Sequence, residues 1–285
     1  MGGRDSPGEQ ERLLIQRVQR AIDQRRLRLP LLPRVVTEVL RLADDADTGA
    51  RRLAELIRAD QTLAAHVLRM ANAAAFAGPD PTVSLDQAVA RLGAPNIAEI
   101  ALAATLGPTL FVAPGCERLV QALWRRALAT ALWAREMAQR SHRDAELAFL
   151  CGLLHQIGQP AVLLEAIAAS RADTAMDEAL LQRVMERFAT PVGIELATRW
   201  QLPDAVVATI AVLGRMDFRS QFQDVVEVVV AARLLAALSL GELVLAPAEL
   251  AGRAELAPLA LSPGAVAALL EREAAIRAFT EALAL

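Results

Sequence analysis

Tyrosine is missing from these 285 residues, and aromatic side chains of every kind make up only 4%. Sandwiches and barrels of β-strands draw on aromatic and β-branched residues to fill a pleated, half-buried surface, so this scarcity weighs against an all-β fold. Cysteine occurs twice, at Cys116 and Cys151. Two are too few for a disulfide framework, and with no secretory leader visible the expected location is a reducing cytoplasm. No block of Lys or Arg stands clear of acidic neighbours, and the net charge is −3. That leaves no electrostatic footprint for nucleic acid. Histidine occurs three times, at His66, His142 and His155, which limits any imidazole-based metal site before its geometry is considered.

Long uncharged runs are also scarce, although 54% of the residues are hydrophobic and mean hydropathy is +0.33. The stretch from Ile100 to Gly115 lacks charge but is short for a span and is broken by Gly107, Pro108 and Pro114. The stretch from Val225 to Leu245 is interrupted by Glu227, Arg233 and Glu242. No membrane span is expected. The N-terminal Met1-Gly2-Gly3-Arg4-Asp5-Ser6 matches the short myristoylation pattern, but residues 1–10 read more simply as a disordered polar leader.

What is abundant is alanine and leucine at helical spacing. From Glu11 to about Arg28, Leu13, Leu14, Val18 and Ile22 form one stripe. Leu29-Pro30-Leu31-Leu32-Pro33 is then rigid and extended, because proline disfavours helix in the residue before it. A helix over 34–43 follows, then a polar loop over 44–48, then a short helix with Leu53, Leu56 and Ile57 on one face. Asp60 is placed to cap the helix carrying Leu63, Val67 and Leu68. Gly78 to Pro81 breaks the chain. Ser84 and Gln87 have the spacing of a capping box, for a helix ending at Gly93. Asn96 should cap the next, to about Leu106, before a Gly/Pro-rich link over 107–115. Further helices are expected over 117–139, 144–158, 192–200 (with Thr190-Pro191 as its cap and first turn), 203–214, 225–240 and 263–283. The fold class is all-α.

The most informative stretch is Ala148-Phe149-Leu150-Cys151-Gly152-Leu153-Leu154-His155-Gln156-Ile157-Gly158-Gln159, where an apolar helix runs into His-Gln and then Ile-Gly. Taken with Leu29–Pro33, the segment Leu53–Asn72, Ser84–Gly93, Leu123-Trp124 and Trp200-Gln201-Leu202-Pro203, it resembles the HDOD family, the HD-related output domains of bacterial signalling proteins. The order and spacing of these segments carry the resemblance over residues 15–285. Gln61 and Ala73 depart from the proline and serine usual in that family. The resemblance implies an N-terminal helical subdomain over 11–112 packed on an HD-like helical bundle over 113–285.

It also implies where a metal would sit. HD phosphohydrolases hold a divalent cation with a histidine on one helix, an adjacent His-Asp pair and a distant aspartate; imidazole and anionic oxygen neutralise the cation and hold its water as hydroxide. In this sequence Arg126 stands where the first ligand is expected, Gln156 replaces the aspartate after His155, and Val226–Leu235 offers Ala231, Ala232 and Arg233 but no aspartate. A paired histidine near Leu213-Gly214 is also missing. Arg126, His155 and Gln156 are therefore a candidate vestigial pocket, and Arg126 reads equally as a solvated step beside Arg125 or as a charge pointing into that pocket.

Cys151 and His155, at i and i+4, could form half of a zinc site, but no second pair has ligand spacing, and a buried thiol beside a hydrogen-bonded histidine is the plainer reading. His66 reads as a partly exposed helical residue, His142 as solvated, and the three tryptophans as core anchors. The expectation is a non-catalytic, cofactor-free signalling module in a bacterial regulatory pathway that acts by binding a signalling protein partner or a regulatory ligand. Its alternatives are an HD-like cyclic dinucleotide phosphodiesterase with rearranged ligands, and a receptor for a nucleotide second messenger or anion in the vacated pocket. No receiver or cyclase segment is visible, so input is expected from a separate partner or through the leader.

Overall fold

A computed structural model describes residues 7–24, 26–27, 30–42, 46–72, 81–170, 177–214 and 221–284. Among them every regular element is helical: α1 (Pro7–Asp23), α2 (Arg34–Leu42), α3 (Ala46–Ala59), α4 (Gln61–Ala71), α5 (Leu85–Leu110), α6 (Glu117–Arg140), α7 (Ala145–Leu154), α8 (Gly158–Ala169), α9 (Glu178–Arg199), α10 (Asp204–Leu213), α11 (Gln223–Ser239), α12 (Pro247–Ala251), α13 (Pro263–Leu270) and α14 (Glu273–Ala282), with a 3-10 turn over Ala257–Leu259.

α2, α3 and α4 pack against α5 or one another, burying Val36, Val39, Ile57, Val67 and Met70. α6 is the spine of the second half and touches α7, α11 and α14. Its inward positions alternate alanines with Leu128, Leu132, Trp124 and Trp133, so neighbouring helices come close between large anchors. α1, expected with the N-terminal subdomain, crosses to lie on α8 and α9. Arg17 donates to the Ala169 carbonyl at 2.7 Å, and Arg183 makes a two-pronged pair with Glu11. Trp124 Nε1 donates to the Leu283 carbonyl at 2.8 Å, fastening the C-terminal helix to α6. Trp133 donates to Ser239 Oγ and Trp200 to the Pro30 carbonyl.

Several boundaries differ from the expected ones. Residues 7–10 are helical rather than leader, because Pro7 is preset for a first helical position and Glu9 suits the positive N-terminus. α3 begins at Ala46, inside the expected 44–48 loop. Ser84 Oγ does accept from Gln87 N, but Gln87 Oε1 reaches back to Val83 N, one residue before the cap. α5 bends at Gly93, whose φ of 78° and ψ of 157° leave the helical region, and then resumes. Asn96 does not cap: its Nδ2 donates to the Leu92 carbonyl and its Oδ1 accepts from Arg135.

Gly107 and Pro108 extend α5 instead of breaking it, because Leu106 and Leu110 are buried and Gly107 lies against the Trp124 indole. α9 runs unbroken through Thr190-Pro191, which the sequence suggested as a cap. A proline inside a helix costs about 3 kcal/mol, but Leu181, Val184, Phe188, Val192 and Leu196 form one buried stripe across it, each worth about 1.5–3 kcal/mol if fully buried. The final helix is two, α13 and α14, parted at 271–272. The Met1–Ser6 pattern, Leu29, Ala73 and the break at 78–80 lie outside the described residues.

The stretch Ala145–Ala169 is apolar and long enough to cross a membrane by composition, unlike the two runs singled out from the sequence. It is two helices joined by a turn at 155–157, and 78% of its most apolar window is buried within the fold.

Candidate functional site

The turn at 155–157 is held between two glycine contacts. A Cβ on Gly152 would lie 2.8 Å from Ala131 Cα, so α7 rests directly on the α6 backbone there. A Cβ on Gly158 would lie 1.9 Å from the Ala189 carbonyl oxygen, so the first turn of α8 rests on α9. A third close approach joins Gly214, at the end of α10, to the Thr190 side chain of α9. These close approaches join α7 to α6, α8 to α9 and α10 to α9, and four elements surround a cavity of about 90 Å³. The 155–159 segment contributes His155, Gln156 and Gln159; α9 contributes Ala189 and Thr190; α10 with its cap contributes Ile210, Leu213 and Gly214; α11 contributes Arg233.

His155 is buried, and its Nδ1 makes a 2.6 Å hydrogen bond with the Gly152 carbonyl. A carbonyl only accepts, so Nδ1 carries the proton and Nε2 presents a lone pair. Among the described residues no group satisfies that Nε2. Desolvation, then the Arg233 charge and more weakly that of Arg126, push the His155 pKa down to about 3, against a raising effect of the Gly152 bond. The ring is neutral at any ordinary pH. Gln156 is likewise buried, and its Oε1 has no protein partner. Arg233 reaches the cavity while keeping solvent contact at its mouth. Desolvation and the nearby Arg126 lower its pKa, and among the described residues no carboxylate acts on it. Among the described residues it forms no hydrogen bond or ion pair.

Arg126 lies at the surface, its side chain 38% exposed and ion-paired, and does not point into the cavity. Its Nε and Nη2 fork onto the two Glu242 oxygens at 3.1 and 2.9 Å. Arg125, expected to be solvated, is half-buried with its Nε enclosed and unpartnered. Cys151 is buried, with its thiol bonded to Thr209 and pushed up to about 12 chiefly by desolvation. It is no thiolate ligand at neutral pH, and it and His155 are engaged with different groups. His66 is half-buried with its pKa lowered, mainly by burial, and His142 is exposed. Sequence reasoning missed Gln159, Ala189, Thr190 and Ile210. Only Thr190 gave a signal, and it was read as a cap.

This arrangement defines an all-α domain with HD-like helical architecture. The HDOD domain family matches residues 29–215, and the chain belongs to that family. An uncharacterized protein of Treponema pallidum (strain Nichols) is 27% identical over 192 residues, which are 64% of this chain and 37% of that protein, so the chain spans little more than a third of this relative's length. Among solved structures, an HDOD domain protein of unknown function from Geobacter sulfurreducens superposes with a TM-score of 0.72 at 20% identity, over 94% of this chain and 98% of its own. A Shewanella amazonensis SB2B protein provisionally named a metal-dependent phosphohydrolase gives 0.71 at 23% identity, over 95% and 99%. A Marinobacter aquaeolei VT8 protein provisionally named a signal transduction protein gives 0.65 at 19%, over 96% and 66%. At these identities the likeness establishes the fold.

The residues around the cavity do not fit a divalent cation. The lining offers one imidazole nitrogen, the amides of Gln156 and Gln159 and the Thr190 hydroxyl but no carboxylate or thiolate, Arg233 adds a positive charge, and among the described residues no three His, Cys, Asp or Glu side chains converge. A guanidinium cannot ligate a metal and repels one.

Proposed function

We propose that this chain is a non-catalytic HDOD signalling module that works by binding, with a cation-bearing polar cavity in place of a metal centre. The observation that supports it most directly is Arg233 in the cavity beside His155 and Gln156, with no carboxylate among the described residues acting on it. A helical frame with His155 in a close-packed turn is retained, while the anionic ligands that would hold a metal hydroxide are not. The partner is a signalling protein, and the cavity is the place where a small regulatory ligand would bias that interaction. Elemental analysis of purified protein together with a cyclic dinucleotide phosphodiesterase assay tests the reading. We expect no stoichiometric metal and no turnover; bound metal accompanied by turnover refutes it.

One observation favours a second reading, residual phosphohydrolase activity: the unpartnered Nε2 of His155 is a neutral imidazole nitrogen able to ligate. That reading requires His155→Ala to abolish hydrolysis while the far-ultraviolet circular dichroism of the variant stays that of the parent.

A further inference from the structure

We infer that the cavity between the 155–159 segment, α9, α10 and α11 binds a hydrogen-bearing oxyanion, of which hydrogen phosphate is the simplest. In this assignment Arg233 takes the negative charge, and the bare acceptors His155 Nε2 and Gln156 Oε1 take the ligand's hydroxyl. The inference rests on the metal-free binding role proposed above and names the ligand class for it.

Three features of the cavity select that chemistry. The first is charge: among the described residues Arg233 has no carboxylate acting on it and feels the Arg126 charge, while the guanidinium of Arg126 is itself engaged by Glu242. An anion entering here meets one uncommitted guanidinium, whose fork suits a phosphate or carboxylate edge.

The second is the polarity of the buried lining. His155 and Gln156 retain 5% and 8% of their surface, and the unpartnered atom of each accepts hydrogen bonds. Leaving such an atom buried and unsatisfied costs about 1–3 kcal/mol. The His155 acceptor is fixed, because Nδ1 is committed to the Gly152 carbonyl. A fully deprotonated oxyanion would place lone pair against lone pair there, whereas a ligand with an O–H donates to it.

The third is size. At about 90 Å³ the cavity equals roughly three waters at about 30 Å³ each. It accepts a tetrahedral head group and excludes a whole nucleotide, whose base and sugar would remain outside.

Inorganic phosphate and sulfate are the probes, since they match in shape but only phosphate carries a proton near pH 7. Calorimetric titration of chelator-treated full-length protein with each, in a non-coordinating buffer, should show phosphate binding at least about tenfold tighter than sulfate. Arg233→Gln, a change at a solvent-contacting position, should weaken phosphate by at least about tenfold, the equivalent of about 1.4 kcal/mol, with the unliganded melting temperature unchanged or raised. Equal affinity for both anions overturns the inference, as does phosphate binding that survives Arg233→Gln. Absence of binding by either anion, with or without added Mn²⁺, overturns it while leaving the metal-free role standing. Binding that appears only after Mn²⁺ is added overturns both.

Discussion

Replacing Gly158 by alanine tests the packing that builds the cavity. The added carbon would sit 1.9 Å from the Ala189 carbonyl oxygen, 2.7 Å from Gly193 N and 2.8 Å from Ala189 C. All three are backbone atoms of α9, so no side-chain rotation relieves the clash. The helices must part by about 1.1 Å merely to bring that carbon to 3.0 Å from the oxygen. Elsewhere in a helix the same substitution gains up to about 1 kcal/mol from propensity and lost chain entropy. Here overpacking against a rigid wall sets about 1–3 kcal/mol against it, and loosened contacts along the α8–α9 interface add to that. We expect a net loss of about 2–4 kcal/mol.

At roughly 2–4 °C per kcal/mol for a chain of this size, the melting temperature should fall by about 4–16 °C in circular dichroism. Gly193→Ala is the internal comparison: its carbon would meet Ile210 Cγ2 at 3.1 Å, a side-chain atom that can shift, so the change should stay within about 1 kcal/mol. A Gly158→Ala variant as stable as the parent, or more stable, would refute the close approach of α8 to α9.

Glu99 is buried against Arg135, with desolvation the larger influence, and its pKa is pushed up from 4.5 to about 7. Its folded state therefore holds a proton that the unfolded chain releases: the contribution is complete below pH 4.5 and lost as pH rises through 7, about 3 kcal/mol at most. Glu99→Gln should flatten the decline in urea-unfolding free energy between pH 5 and pH 8, and parallel pH profiles for parent and variant would contradict this. Trp124→Phe keeps an aromatic ring against Gly107 but strips the donor from the buried Leu283 carbonyl. It should cost about 1–3 kcal/mol and open the C-terminal helix to limited proteolysis before the rest of the chain, which fragment masses would reveal.

Much of the fold was legible because its causes are local. Asp60, Ser84, Asp144 and Ser262 each accept from backbone N–H groups at helix starts, as their residue types suggest. Local signals failed where a distant surface overrode them. Pro191 stops a helix only if no buried stripe carries the chain past it, and Gly107-Pro108 mark a link only if no indole awaits the glycine. α8 was missed for a related reason: made mostly of apolar residues on its buried and half-buried sides alike, it offers little amphipathic contrast.

The candidate site divides in the same way. By itself the sequence pointed to a helical chain and, through the family resemblance, to Arg126 and Gln156 at positions where an HD site uses histidine and aspartate, with no aspartate in Val226–Leu235, because side-chain identity alone decides what can ligate. Only the tertiary structure decided which cation faces the cavity. Arg126 was the residue suspected, but Glu242, 116 residues away, closes on its guanidinium and holds it aside. Arg233 comes in from α11 with no carboxylate among the described residues acting on it. Pairing between such distant charges depends on how the helices cross, which no local stretch of sequence specifies.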